Sequence, residues 1–140
     1  MSEQNKSVVR RIVEEHWNEK KPSLVAELFD AKATVYTPDG PLHGLDGASQ
    51  LLAAYSTAFP DFRLNIDELL ADGDKITLRW TFTGTQNGPL GGIAASGKSV
   101  SVPGIAIFQV ASGKAREVRM LWDKYALMQQ IGALAGQAAA

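Results

Sequence analysis

The residues able to do chemistry in this chain are few and widely spaced. Asp123 follows Trp122 in "MLWDKYALMQQIG", at the joint between an alternating segment and a helical one. A carboxylate at that joint can serve as an acid or base at a pocket mouth, its pKa raised by burial. It can equally be the cap of the helix, accepting from backbone N–H groups near residues 125–126, which favours the anion and makes a weaker base. Tyr36, at the end of "ATVYTP", offers a hydroxyl that either orients a substrate oxygen or sits at the edge of the core. His43, in "PLHG", is either a base poised near neutral pH or a solvated loop residue. His16 lies beside Trp17 on an apolar stripe, as a pocket wall or as core. Two histidines without a third ligand at metal spacing give no metal site. The chain has no cysteine, which excludes disulfides, thiol nucleophiles and thiolate metal centres.

These groups depend on a simple order of elements. Val8, Val9, Ile12, Val13, His16 and Trp17 recur at three- and four-residue steps and predict a helix over 5–19, with Asn5 as its N-cap. Pro22 opens a second, short helix, "PSLVAELF". A short strand over 33–38 stops at Pro38, and "DGPLHG" reads as a turn-rich loop. Residues 45–58 read as a helix with Leu51, Leu52, Tyr55 and Phe59 on one side, ended by Pro60. The period then changes to alternation. "FRLNIDELLA", "KITLRWTFTGT", "SVSVPGIAIFQVA" and "KAREVRMLW" read as strands joined by "DGD", the glycine-rich loop 86–98 and "SGK". A last helix starts near 124.

Helices followed by an antiparallel meander argue an α+β fold, with N-terminal helices covering one face of a strongly curved sheet. Such a cone encloses a space that is a default ligand site. Alternation puts Arg116, Val118, Met120 and Trp122 on one face of their strand and Glu117, Arg119 and Leu121 on the other. A pocket of Tyr55, Trp80, Phe108, Val118 and Met120, with Trp122 at its rim, follows if the first set faces inward. Arg79 and Arg116 are expected to pair across strands with carboxylates such as Asp67 or Glu117.

With 140 residues the chain forms one domain, residues 1–140, large enough for one core and a pocket within it. Its formal net charge of −1 is made of scattered charges, with no basic patch for a nucleic-acid backbone or an anionic membrane. The N-terminal stretch lacks an apolar signal core and no apolar run reaches membrane-spanning length, so a cytoplasmic protein is expected. Loop 86–98 is not a phosphate loop, because a strand and not a helix follows it.

The stretches "VVRRIVEEHWNEKKPSLVAELF", "HGLDGASQLLAAYSTAFPDFRLNIDELLADGDKITLRWTFTGTQNG", "GGIAASGKSVSVPGIAIFQVASGK" and "WDKYALMQQIG" lie in an order and spacing that resemble the SnoaL-like polyketide cyclase family, within the nuclear transport factor 2-like superfamily. The resemblance covers about residues 8–134. It implies a cone-shaped α+β barrel, a homodimer through the sheet, a hydrophobic pocket and no metal or organic cofactor. It also implies cofactor-free proton-transfer chemistry, of which ring closure, isomerisation and dehydration are examples. Aligned on "QQIG", however, the family's acid/base aspartate falls on Met120 and a frequent histidine on Val118. A polar pair on the preceding strand falls on Ala106 and Phe108, and an asparagine of the first strand falls on Tyr36. A methionine cannot take a proton from a carbon acid. Two readings follow: an enzyme that uses Asp123 with Tyr36, or a module that binds a small, mostly apolar molecule without catalysis.

Overall fold

The computed structural model describes residues 2–134. Helix α1 (Ser2–Arg11) runs directly into a π-helical segment, Ile12–Trp17. A 3-10 turn (Pro22–Leu24) and the short α2 (Val25–Leu28) follow. Then come β1 (Phe29–Thr37), β2 (Gly40–His43), α3 (Gly44–Ala58), β3 (Arg63–Asp72) and β4 (Lys75–Thr85). The chain ends, as described, with β5 (Ser99–Ala111), β6 (Lys114–Trp122) and α4 (Lys124–Gln130). None of the helices among the described residues is long and apolar enough to cross a membrane.

The six strands form one curved, unclosed sheet in the order β2-β1-β6-β5-β4-β3. The architecture is the expected α+β one, with two differences from the meander read in the sequence. The turn-rich "DGPLHG" contributes a strand, since β2 folds back on β1 and pairs Val35 with Leu42. Strand β1 then lies parallel to β6, with Val35 beside Val118 and Tyr36 beside Arg119. Parallel pairing needs a long crossover, which here is most of the chain, so no local pattern announces it.

The first helix also departs from the simple periodic reading. It begins at Ser2, so Asn5 is no cap; its side-chain amide instead donates to the Gly73 carbonyl at 3.2 Å. From Ile12 the turns widen, and the Asn18 N–H reaches the Val13 carbonyl at 2.9 Å. The wider turn brings Ile12, Val13, His16 and Trp17 all into the core. The segment is pinned at its end by Asn18, whose amide donates to the Leu64 carbonyl (2.9 Å) and accepts from the Leu64 N–H (2.7 Å).

Two bulges keep the sheet's inner face apolar. Between Ile66 and Glu68 the extra residue leaves both Asp67 and Glu68 outside while Leu64 and Leu69 stay inward. Arg79 answers them from β4, 3.2 Å from Glu68 and 4.0 Å from Asp67. The second bulge, between Gln109 and Val110, turns Ala115 inward. Arg116 therefore leaves the face it was expected to share with Val118, Met120 and Trp122, and is exposed. The pairing expected of it falls to Arg119, which meets Glu117 at 3.3 Å.

Candidate functional site

The inner face of the sheet reads as rows of cross-strand neighbours. One row runs Ile76, Phe108, Val118, Val35; the next Leu78, Ala106, Met120; the next Trp80, Gly104, Trp122. The first row is fully packed: Phe108 and Val118 are inaccessible, and the Trp17 ring lies 6.4 Å from that of Phe108. The helical layer leaves room only further along the strands. There a cavity of about 70 Å³ remains. Its sheet side is Trp80, Phe82, Val102, Met120 and Trp122; Leu51, Leu52 and Tyr55 of α3 face them. Trp17, Phe62, Leu127 and Leu64 of β3 complete the lining.

Gly104 makes that space possible. A Cβ built there would stand 2.3 Å from Cε2 and Cζ2 of Trp80, so the indole lies directly on the glycine backbone. Any larger residue would lift the ring into the cavity. The aromatic wall opposite is held by Tyr55, stacked on Phe59 at 6.3 Å and edge-on to both Phe82 (5.9 Å) and Trp122 (5.6 Å).

Next to this cavity lies a larger vestibule of about 360 Å³. Leu51, Tyr55 and Trp122 line both spaces and form the partition between them. Leu42, Leu90, Ile93 and Met128 give the vestibule apolar walls, while Asp39 and Lys124 form an ion pair at its rim. Leu90 and Ile93 belong to loop 86–98. The fully buried Gln86 closes that loop on itself, donating to the Ala94 carbonyl (3.2 Å) and accepting from the Ser96 N–H (3.1 Å). Gly88 seats the loop on α3: its N–H donates to the Ala58 carbonyl at 3.1 Å, and a Cβ there would come within 2.1 Å of the Thr57 carbonyl oxygen.

Among the described residues Tyr55 is the only ionisable side chain on the inner cavity. Burial pushes its phenol up to about 12, outweighing the opposing influence of the nearby Trp122 N–H. At neutral pH it is a hydroxyl, able to donate and accept, and no base. The Trp122 Nε1 is itself buried and has no hydrogen-bond partner of normal geometry.

The residues expected to do chemistry lie elsewhere. Asp123 is exposed and lines neither space; its carboxylate accepts from the Ala126 N–H at 2.9 Å as the cap of α4. Backbone and side-chain bonds hold it there, with the Asp123 N–H on the Pro103 carbonyl (3.0 Å) and Gln130 bridging both backbone groups of Ser101. Tyr36 shares the register position of Arg119 and so faces the outside of the sheet, where the Arg119 guanidinium sits 4.1 Å over its ring. Strand alternation that turns Val35 inward compels this. His43 is exposed on β2, with its Nδ1 3.4 Å from the Thr34 hydroxyl. His16 is fully buried behind the cavity wall, its Nδ1 3.0 Å from the Lys21 carbonyl and its ring edge-on to Phe29. Burial lowers its pKa, against the weaker effect of that backbone bond.

The structure thus brings Tyr55, Trp80, Met120 and Trp122 together around one cavity, while Phe108 and Val118 belong to the packed row beneath it. It adds Trp17, Leu51, Phe62, Phe82 and Leu127, among others, to the lining. The alternation of Phe82 with Trp80 and the stripe shared by Leu51, Leu52 and Tyr55 carried that information; the position of the helices along the strands did not show in it. Among the described residues no group of three or more histidines and carboxylates is placed to hold a metal ion.

A SnoaL-like protein from Jannaschia sp. CCS1 shares this structure with a TM-score of 0.88 and 26% identity, over 95% of this chain and 94% of that one. TsrD from Streptomyces laurentii does so with a TM-score of 0.84 and 28% identity, over 94% of this chain and 97% of that one. A protein from Catenulispora acidiphila with a ketosteroid isomerase-like fold, in complex with trimethylamine, shares the fold at 16% identity (TM-score 0.78; 94% of this chain, 96% of that one). No curated protein matches the chain in sequence. The family model for SnoaL-like polyketide cyclases matches residues 7–131, from α1 to just past α4. That span contains every strand of the sheet and every wall of the cavity, and the chain belongs to the SnoaL-like polyketide cyclase family.

Proposed function

We propose that the protein binds a small, mostly apolar molecule, with a narrow apolar end in the inner cavity and the remainder in the vestibule. The observation that carries this reading is the cavity wall: twelve residues, of which only Tyr55 ionises, and that one held neutral by burial. Apolar enclosure supplies affinity at roughly 25 cal/mol per Å² of apolar surface removed from water. The inner cavity is about 70 Å³, so a ligand of more than a few heavy atoms extends past Tyr55 and Trp122 into the outer 360 Å³.

Family membership favours a second reading, cofactor-free proton-transfer chemistry such as cyclisation, isomerisation or dehydration. Asp123 and Tyr36 are its candidates for acid/base and donor. Met120 on the wall, Asp123 in a cap and Tyr36 on the outer face weigh towards binding without turnover. Native mass spectrometry of the purified protein, followed by extraction of the bound molecule, separates the two. A ligand that is released chemically unchanged after prolonged incubation supports binding. A product that accumulates with wild-type protein and not with Asp123→Asn supports catalysis and removes the binding-only reading.

We further propose that two copies associate through the outer face of the sheet. Ile105, Ile107 and Leu121 stand there 46%, 46% and 65% exposed on adjoining positions of β5 and β6. Exposed apolar groups contiguous on a sheet face mark an association surface.

A further inference from the structure

Between the inner cavity and the vestibule stand the Trp122 indole N–H, which makes no hydrogen bond of normal geometry, and the Tyr55 hydroxyl. The Trp122 Nε1–H is buried and unpartnered, although its residue lines both spaces. The Tyr55 ring stands edge-on to the Trp122 indole, centroids 5.6 Å apart at 83°, and lines both spaces as well. An indole N–H can only donate. A buried donor without a partner carries the full desolvation penalty, which a ligand atom able to accept would relieve. Trp17 and Trp80 also bring indoles to the inner cavity, but among the described residues only the Trp122 N–H is buried without a partner, and the other lining residues apart from Tyr55 offer carbon and sulfur.

Both donors are held in place before any ligand arrives. Tyr55 is fixed by Phe59, stacked on it, and Phe82, edge-on to it, which also pack on each other. Trp122 ends β6 opposite Gly104, and the backbone after it is tied to Pro103 through the Asp123 N–H. Preorganised donors reward an acceptor at that point without a cost of ordering them.

We infer that Trp122 Nε1 and Tyr55 Oη form a subsite for a single ligand oxygen, so that the bound molecule is a small carbonyl compound with an apolar group on either side of the carbonyl. This deepens the reading of the cavity as a small-molecule site and rests on it. The carbonyl sits at the partition, the smaller substituent points toward Met120 and Trp80, and the larger one lies among Leu42, Leu90 and Ile93.

Acetophenone and α-methylstyrene have the same shape and differ only by an oxygen in place of a methylene, and so test the subsite directly. Affinities for wild-type protein, Trp122→Phe and Tyr55→Phe are measured by titration, with the Met120 methyl and the three indole N–H resonances followed by NMR. The ketone/alkene affinity ratio is expected to fall about five- to tenfold in Trp122→Phe and by a similar factor in Tyr55→Phe, the worth of a buried hydrogen bond. The Trp122 N–H resonance is expected to move downfield with acetophenone and not with α-methylstyrene. Retained affinity for α-methylstyrene shows that each variant keeps its cavity. A ratio unchanged in both variants, with the alkene still shifting the Met120 methyl, overturns the oxygen subsite and leaves the apolar site standing. If neither probe disturbs Met120 or Trp80, the subsite and the cavity reading fall together.

Discussion

Trp80 rests on Gly104: a Cβ on the glycine would lie 2.3 Å from two atoms of the indole. The contact joins adjacent strands at one register position and sets the depth of the cavity. Gly104→Ala is therefore expected to drive the ring into a space of only about 70 Å³. We expect a loss of about 1–3 kcal/mol in stability from overpacking, and a loss of at least roughly tenfold in affinity for a small apolar probe. Adding Trp80→Phe to the variant should recover much of the stability, a coupling that thermal and denaturant unfolding of the two singles and the double will show.

Asp123→Ala removes the acceptor for the Ala126 N–H. Loss of an N-cap costs about 1 kcal/mol, visible as a lower melting temperature. Probe affinity is expected to stay at the wild-type value, since Asp123 lines neither space. An affinity that drops severalfold while the melting temperature holds would assign Asp123 to the site instead.

His16 is fully buried and its pKa lies below the ordinary 6.5. Its neutral ring donates from Nδ1 to the Lys21 carbonyl, and protonation would bury a charge at an Nε2 that has no partner. The unfolded chain takes up this proton more readily than the native one as pH falls. The stability contributed by His16 is therefore complete above pH 6.5 and is lost as pH falls from there through the lower folded value. Denaturant unfolding at pH 7.5, 6.5, 5.5 and 5 should show that decline. A difference between wild type and His16→Leu that does not vary with pH would refute the assignment.

Ile105 lies between Leu121 and Arg79 on the outer face of the sheet. A lysine there would place a charge in the apolar centre of the proposed dimer interface. Ile105→Lys is expected to weaken the dimer by about 2 kcal/mol, roughly thirtyfold in dissociation constant. Light scattering behind size-exclusion chromatography over a concentration series checks this; identical monomer masses for both proteins would remove the outer face as an interface.

Much of this molecule is local information written in the sequence. The alternation of Ile76, Leu78, Trp80 and Phe82 names an inward face, and that face is inward. The "WD" pair names the cap, Pro60 stands just beyond α3, and the quoted stretches carry the family that the model match establishes. Each rests on spacing within a few residues, where backbone period and turn chemistry act directly.

The site was decided by relations over longer distances. Phe108 and Val118 look as suitable for a pocket as Met120 in the sequence, yet Trp17 and the π-helical turn fill the space over them and leave it open one row on. Tyr36 became an outer residue only because β1 pairs with β6, about eighty positions away, in the register that turns Val35 inward. Arg116 was turned outward by a bulge that alternation cannot foresee. Away from bulges, periodicity fixes which residues share a face, because that depends on local backbone geometry. Where a cavity remains depends on how far the helices slide along the sheet, and that is settled by close packing of side chains from the whole chain.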